Sequence, residues 1–177
     1  MAACVVLLRG VNVGGVVLKM ADFRLLLEGL GCREVRTYIQ SGNAVVQTGM
    51  KSPEALAGKI VRALAAERGL EVAVRVLGAE EFRGISAKHP LARGDGEEGL
   101  YVTLPTAPPA AGKLDELSAA APGPELFAVE GGTVYGYYPD GYGKSKFANA
   151  WIEKRLGQPC TTRNWATMRS LAAMLES

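Results

Sequence analysis

The chain has 177 residues, 48% of them apolar and 21% charged, with 20 Lys and Arg against 18 Asp and Glu. That length fits one large domain or two small ones sharing a core, and the composition is ordinary for a soluble globular protein. No apolar run approaches the roughly 20 residues that cross a bilayer, which excludes a helical membrane protein.

The charge is unevenly spread: residues 1–77 carry a balance of +4, residues 78–130 of −5 and residues 131–177 of +3. The two ends could share a basic surface, but charge alone does not make a nucleic-acid binder. Cys4, Cys32 and Cys160 lie far apart and are odd in number, so they form neither a disulfide framework nor a CxxC pair. A reducing cytoplasm is the expected compartment. With no basic n-region and an apolar run that stops at Arg9, the N-terminus reads as a strand rather than a signal peptide.

In chain order, CVVLLR is a short apolar strand. Met20, Phe23, Leu26, Leu27 and Leu30 then recur at helical spacing, with Gly31 as the stop. EVRTYIQ alternates, placing Val35, Thr37 and Ile39 on one face, and Ser41-Gly42-Asn43 turns it back into the strand AVVQT. Ser52 and Pro53 open a helix striped with Leu56, Ile60 and Leu64, Gly69 closes it, and VAVRVL is a further strand. The order β-α-β-β-α-β predicts a ferredoxin-like sandwich over residues 1–78.

A short helix over Ala79–Lys88 leads into a second α+β half, residues 79–177. LYVTL is its first strand and KLDELSAAA its first helix. ELFAVE and TVYGYYP form a hairpin through Gly131-Gly132. Helices are expected from about Ser145 to Leu156 and from Asn164 to Leu175. The final strand of this half is expected to be shortened, or replaced by Thr161-Thr162-Arg163. The fold class is therefore α+β: two ferredoxin-like halves with antiparallel sheets, the second modified and ending in extra helices.

Three loops invite chemistry. The stretch after the first strand, Arg9-Gly10-Val11-Asn12-Val13-Gly14-Gly15, fails the dinucleotide fingerprint GxGxxG. It still delivers the chain, with Lys19, to a helix N-terminus that favours anions. Asp140–Phe147 contains Gly-Lys-Ser, but Tyr138 occupies the position of the first P-loop glycine. That leaves a looser anion site at Lys144, Ser145 and Lys146. In the third loop, Asn164 caps the last helix, Trp165 has its ring half-buried and Arg163 stands beside an aromatic ring, a combination suited to phosphate and base stacking.

Catalytic constellations are thin. His89 is the sole histidine and precedes Pro90 at a helix end, where capping the last carbonyls is the expected role. No typical zinc set, GxSxG elbow or paired Cys–His is present, so no metal and no cofactor are expected.

LLRGVNVGG, KMADFRLLLEGLG, VRTYIQSGN and TTRNWATM, in this order, closely resemble the uncharacterised bacterial family called domain of unknown function 1697. The resemblance covers essentially the whole chain. Val16-Val17 depart from the polar or basic residues frequent there, and the Ala/Pro-rich middle matches loosely. The resemblance implies a two-part ferredoxin-like fold and no activity.

The leading expectation is a binding module for an anionic ligand, nucleotide-like or nucleic acid, with no membrane partner. Its candidate residues are Arg9, Gly10, Asn12, Gly14, Gly15, Lys19, Gln40, Ser41, Asn43, Lys144, Ser145, Lys146, Arg163, Asn164 and Trp165. The first β–α loop and the Gln40–Asn43 turn are expected at opposite ends of their sheet, so that neither completes the other's site. Stacking of RNA on the sheet face is disfavoured, because VVLLRG and GNAVVQT carry no aromatic. Two further readings compete: a structural protein in which these polar residues serve turns, and an enzyme positioning a phosphorylated substrate without metal.

Overall fold

The computed structural model describes residues 1–94, 96–120 and 123–177. They form two compact units, residues 1–83 with 171–177, and residues 84–170.

The first unit runs β1 (Ala2–Leu8), α1 (Met20–Gly29), β2 (Arg33–Tyr38), β3 (Asn43–Thr48), α2 (Pro53–Arg68) and β4 (Val74–Gly78), followed by the start of α3 (Ala79–Ala87). Its sheet has the order β2-β3-β1-β4, and every pairing is antiparallel. Strand alternation sends Cys4, Val6 and Leu8 of β1 to one face, where they join Phe23, Leu27, Leu56, Ile60 and Leu64 from the two helices. The opposite face is not left to water: Val5, Leu7, Val45 and Leu77 are all buried. A sheet buried on both faces reads as a continuous apolar run, which is why CVVLL lacks polar alternation. It also removes this face as a platform for nucleobases.

Local chemistry places the helix ends where expected. Ser52 Oγ accepts from Ala55 N at 3.2 Å, Pro53 opens α2 and Gly69 closes it in the left-handed conformation. The chain terminus is tied back into the first unit. Arg36 on β2 donates to the Met174 carbonyl and to Ser177 Oγ, both at 2.5 Å, and Arg83 pairs with Glu176 at 2.6 Å.

The second unit repeats the order: β5 (Leu100–Pro105), α4 (Lys113–Ala119), β6 (Leu126–Glu130), β7 (Thr133–Tyr137), α5 (Asn149–Leu156) and β8 (Cys160–Asn164), then the start of α6 (Trp165–Glu176). Its sheet, β6-β7-β5-β8, has the strand arrangement of the first. The expectation of a curtailed last strand is corrected here. Five residue pairs, from Tyr101↔Asn164 to Pro105↔Cys160, join β8 to β5 in full register. The polar run Cys-Thr-Thr-Arg-Asn disguised it, because Thr162 bonds across the ladder to Thr103 and Thr161 accepts from Arg163 instead of presenting an apolar run. The expected helix start near Ser145 is also corrected. Tyr142–Lys144 form a single 3-10 turn, Ser145 is extended, and α5 begins at Asn149. Ser145 Oγ accepts from Phe147 N at 3.0 Å, a local bond that competes with helix formation.

One glycine in the first unit is held by space as well as conformation. Gly42 has φ +76°, and a Cβ there would lie 2.7 Å from both Leu8 Cβ and Val11 Cγ2. The substitution Gly42→Ala is therefore expected to cost roughly 2 kcal/mol or more, through overpacking combined with backbone strain. Urea unfolding of the variant checks this; a change within ~0.5 kcal/mol would contradict the contact.

Candidate functional site

Antiparallel pairing decides where the first two loops lie. Leu7 near the end of β1 is opposite Asn43 at the start of β3, so the β1–α1 loop and the β2–β3 turn emerge at the same end of the sheet. This corrects the expectation that they lie at opposite ends. The two are also bonded: Leu8 N donates to Gly42 O at 2.8 Å, and Asn12 Nδ2 donates to Gln40 O at 2.5 Å.

Asn12 is the hub. It adopts φ +57°, a conformation Asn tolerates better than most residues. Its Nδ2 also donates to Leu18 O at 2.8 Å, and its Oδ1 accepts from Leu18 N at 2.9 Å. Between these anchors Val13 bridges Val16 across a turn in which Gly14 and Gly15 both have positive φ. Neither would meet an atom within 4 Å if it carried a Cβ, so these glycines serve the turn rather than a close backbone approach. Asn43 is fully buried and donates to Tyr38 O at 3.0 Å and Ser41 Oγ at 2.8 Å.

Of the candidates in this loop pair, then, Asn12, Ser41 and Asn43 point inward to protein partners and Arg9 is half-buried. Gly10, Gly14, Gly15, Lys19 and Gln40 are exposed. Lys19 occupies the N-cap of α1 without a side-chain cap bond.

The remaining candidates lie in the second unit. Lys144 and Lys146 are exposed, whereas Ser145 donates to Glu125 Oε1 at 2.8 Å. Arg163 is buried; its Nη1 donates to Thr161 Oγ1 at 2.8 Å and Thr162 O at 2.9 Å. Burial lowers its pKa to about 10, partly offset by Tyr142, and it still carries its charge at neutral pH. Asn164 caps α6 by accepting from Thr167 N at 2.8 Å. Trp165 is buried, not half-exposed as expected, which leaves its ring no free face for a base.

His89 does not cap the end of its helix. It is almost wholly buried, its ring edge-on to Tyr135 and Trp165 with both centroids 5.1 Å away. Nδ1 accepts from Leu91 N at 3.2 Å while Nε2 faces Tyr101 O at 3.0 Å, which sets the neutral Nε2–H tautomer. Burial holds its pKa below the usual value, against smaller opposing effects of the Tyr101 carbonyl and Glu130.

A second cluster was not visible as a site in the loops. The rings of Tyr101 and Tyr142 stack at 4.4 Å, and on α5 the Arg155 guanidinium lies over the Trp151 ring. Only Trp151 and Arg155 carried a signal in the sequence, their i,i+4 spacing on one helix. Among the described residues no group of three or more His, Cys, Asp or Glu could hold a metal ion, and no helix is long and apolar enough to cross a membrane.

Two ferredoxin-like halves, the first with its two loops bonded at one end, define an α+β protein. The chain belongs to the family described as protein of unknown function, DUF1697, whose model matches residues 1–135. Among solved structures it is similar to a conserved bacterial protein, SP0830, from Streptococcus pneumoniae, with a TM-score of 0.79 and 22% identity. That match covers 100% of this chain and 99% of the other, so the likeness is one of the complete fold. No curated protein matches the chain. No activity follows from these likenesses.

Two outcomes are expected. Asn12→Ala removes three side-chain bonds and places Ala in a left-handed conformation, so a loss of roughly 2–3 kcal/mol should appear in urea unfolding. Asn12→Gly relieves the backbone and should recover part of that loss. For His89, the folded pKa is depressed, so the unfolded chain binds the extra proton first. The stability due to neutral His89 is present above its ordinary value of 6.5 and drains away as pH falls below it. Unfolding midpoints compared between pH 7 and pH 5 should fall less steeply in His89→Gln than in the native chain.

Proposed function

We propose that the protein is a binding module for an anionic ligand of nucleotide-like or nucleic-acid type. The observation that carries this reading is the loop end of the first unit. Asn12, Ser41 and Asn43 are spent on holding two loops together, and this frame leaves the Gly14–Gly15 turn and Lys19 uncovered. A pre-ordered loop pays less entropy on binding than a mobile one. The residues proposed to meet the ligand are Gly14, Gly15, Lys19 and Gln40, with Arg9 behind them. Lys144 and Lys146 offer charge on the second unit. Cys4, Cys32 and Cys160 are all buried, and we place the protein in the reducing cytoplasm.

A structural reading competes on a specific observation: the motif residues Asn12 and Asn43 are satisfied by protein partners and need no ligand. Thermal unfolding with phosphate, mono- and dinucleotides, and short RNA and DNA, at low and high salt, separates the two. A ligand at 100 times its Kd adds about 2.7 kcal/mol, a clear rise in Tm. We expect such a rise with at least one of these anions, and its reduction in Lys19→Gln without a change in the unliganded Tm. Absence of any shift would sink the binding reading and leave the structural one.

A further inference from the structure

Helix α5 carries Trp151 and, one turn later, Arg155. The Arg155 Cζ lies 3.8 Å from the centroid of the Trp151 ring, close enough for a stacked cation–π contact. The indole is itself held: Phe127 from the edge strand β6 stacks on it at 5.6 Å and 17°, and Phe147 meets it edge-on at 5.2 Å. Trp151 and Arg155 are both half-buried, so the guanidinium is laid on a braced aromatic platform rather than swinging in solvent.

What Arg155 lacks is an acid. Among the described residues no carboxylate pairs with it, and none pairs with Lys144, Lys146 or Lys154, all three of which are exposed. Two carboxylates of the second unit have partners elsewhere, Glu125 through Oε1 alone since its Oε2 is buried without a bond among the described residues. Glu153 accepts from Cys160 N at 2.7 Å, and Glu125 accepts from Ser145 Oγ. The segment bearing the two earlier lysines is folded against the start of α5, where Asn149 N donates to the Tyr142 hydroxyl at 2.9 Å and the Phe147 ring reaches Trp151. Lys154 and Arg155 also lie in the last helical turn, where cations complement the carbonyl end. That accounts for their charge but not for a guanidinium held flat with its N–H fork unpaired.

We propose that Arg155 on Trp151, with Lys154 beside it in sequence on α5 and Lys144 and Lys146 on the segment folded against the start of that helix, binds the phosphates of an oligophosphate chain. Arg155 makes the bidentate contact, because a planar fork with fixed orientation matches two phosphate oxygens. The lysines supply point charges for the neighbouring phosphates. The indole is already taken up by Arg155 and Phe127, so recognition is of phosphate and not of bases. The same phosphates can belong to a polyphosphorylated small molecule or to a single-stranded nucleic acid. The inference rests on the anionic-ligand reading above but centres on Arg155 and Trp151 rather than on the first unit's loop end, and its test must separate the two.

The test uses the full chain and fluorescently labelled oligo-dT and oligo-U, with inorganic tripolyphosphate as competitor, at low and high salt. Arg155→Met keeps the apolar stem over the indole and removes the fork; it should weaken binding by about tenfold or more with Tm unchanged. Arg155→Lys keeps the charge and should still lose severalfold. Lys144→Gln with Lys146→Gln should lower the salt dependence. Complete competition by tripolyphosphate identifies the phosphate chain as the ligand, while competition only by nucleic acid places the phosphates in a polynucleotide backbone. Binding by Arg155→Met and Arg155→Lys within twofold of the native chain would overturn the proposal, as would no binding by the native chain. Loss of binding in Lys19→Gln but in neither Arg155 variant would overturn it while leaving the first unit's loop end as the site.

Discussion

The first unit depends on one side chain in a strained backbone position. Asn12 bonds the amide and carbonyl of Leu18 and the carbonyl of Gln40, closing the β1–α1 loop on itself and onto the β2–β3 turn. A loop of this length would otherwise carry unpaired backbone groups at the edge of an apolar core. The amide is the one side-chain chemistry that both donates and accepts in this arrangement, and Asn tolerates the positive φ it requires. Gly42, packed against Leu8 and Val11 with no room for a Cβ, brings the turn close enough for that bond.

The second unit has the same strand order but solves the same problem with different chemistry. Its β5–β8 pairing carries Thr103 against Thr162, whose hydroxyls lie 2.8 Å apart, and Thr162 donates onward to Asn149 Oδ1 at the start of α5. A polar ladder of this kind is stable because every member has a partner; an apolar replacement on one side alone would orphan the rest. Arg163 belongs to this framework. Its charge is desolvated and bonded to Thr161 and Thr162, which makes it a member of the interior.

The candidate sites share a pattern. Polar residues that draw attention in the sequence, Asn12, Asn43, Ser145, Arg163 and Asn164, are mostly committed to the protein itself. The groups left to solvent are plainer: a two-glycine turn, Lys19, the lysines of the 144–146 segment, and an arginine stacked on a tryptophan. A side chain fully occupied by internal bonds has little capacity left for a ligand, whereas an unpaired cation on a rigid support has already met part of the ordering cost of binding.

Periodicity and punctuation in the sequence were enough for the element order of the first half, the α+β class and the two-half arrangement. The helical spacing of Phe23, Leu27, Ile60 and Leu64 and the turn residues around Gly42 and Gly131-Gly132 act locally, within a few residues of the structure they specify. Family membership was legible for the same reason, since the motifs are contiguous. What only the tertiary structure decided were relations across long separations. Pairing of Leu7 with Asn43 put two loops at one end, and burial turned Arg163 and His89 inward. The full β8 strand was hidden in a polar run, because Thr162 bonds a ladder partner, Thr103, 59 residues away. Burial and pairing are properties of the assembled sheet, and no single residue's type determines which of its possible partners it will meet.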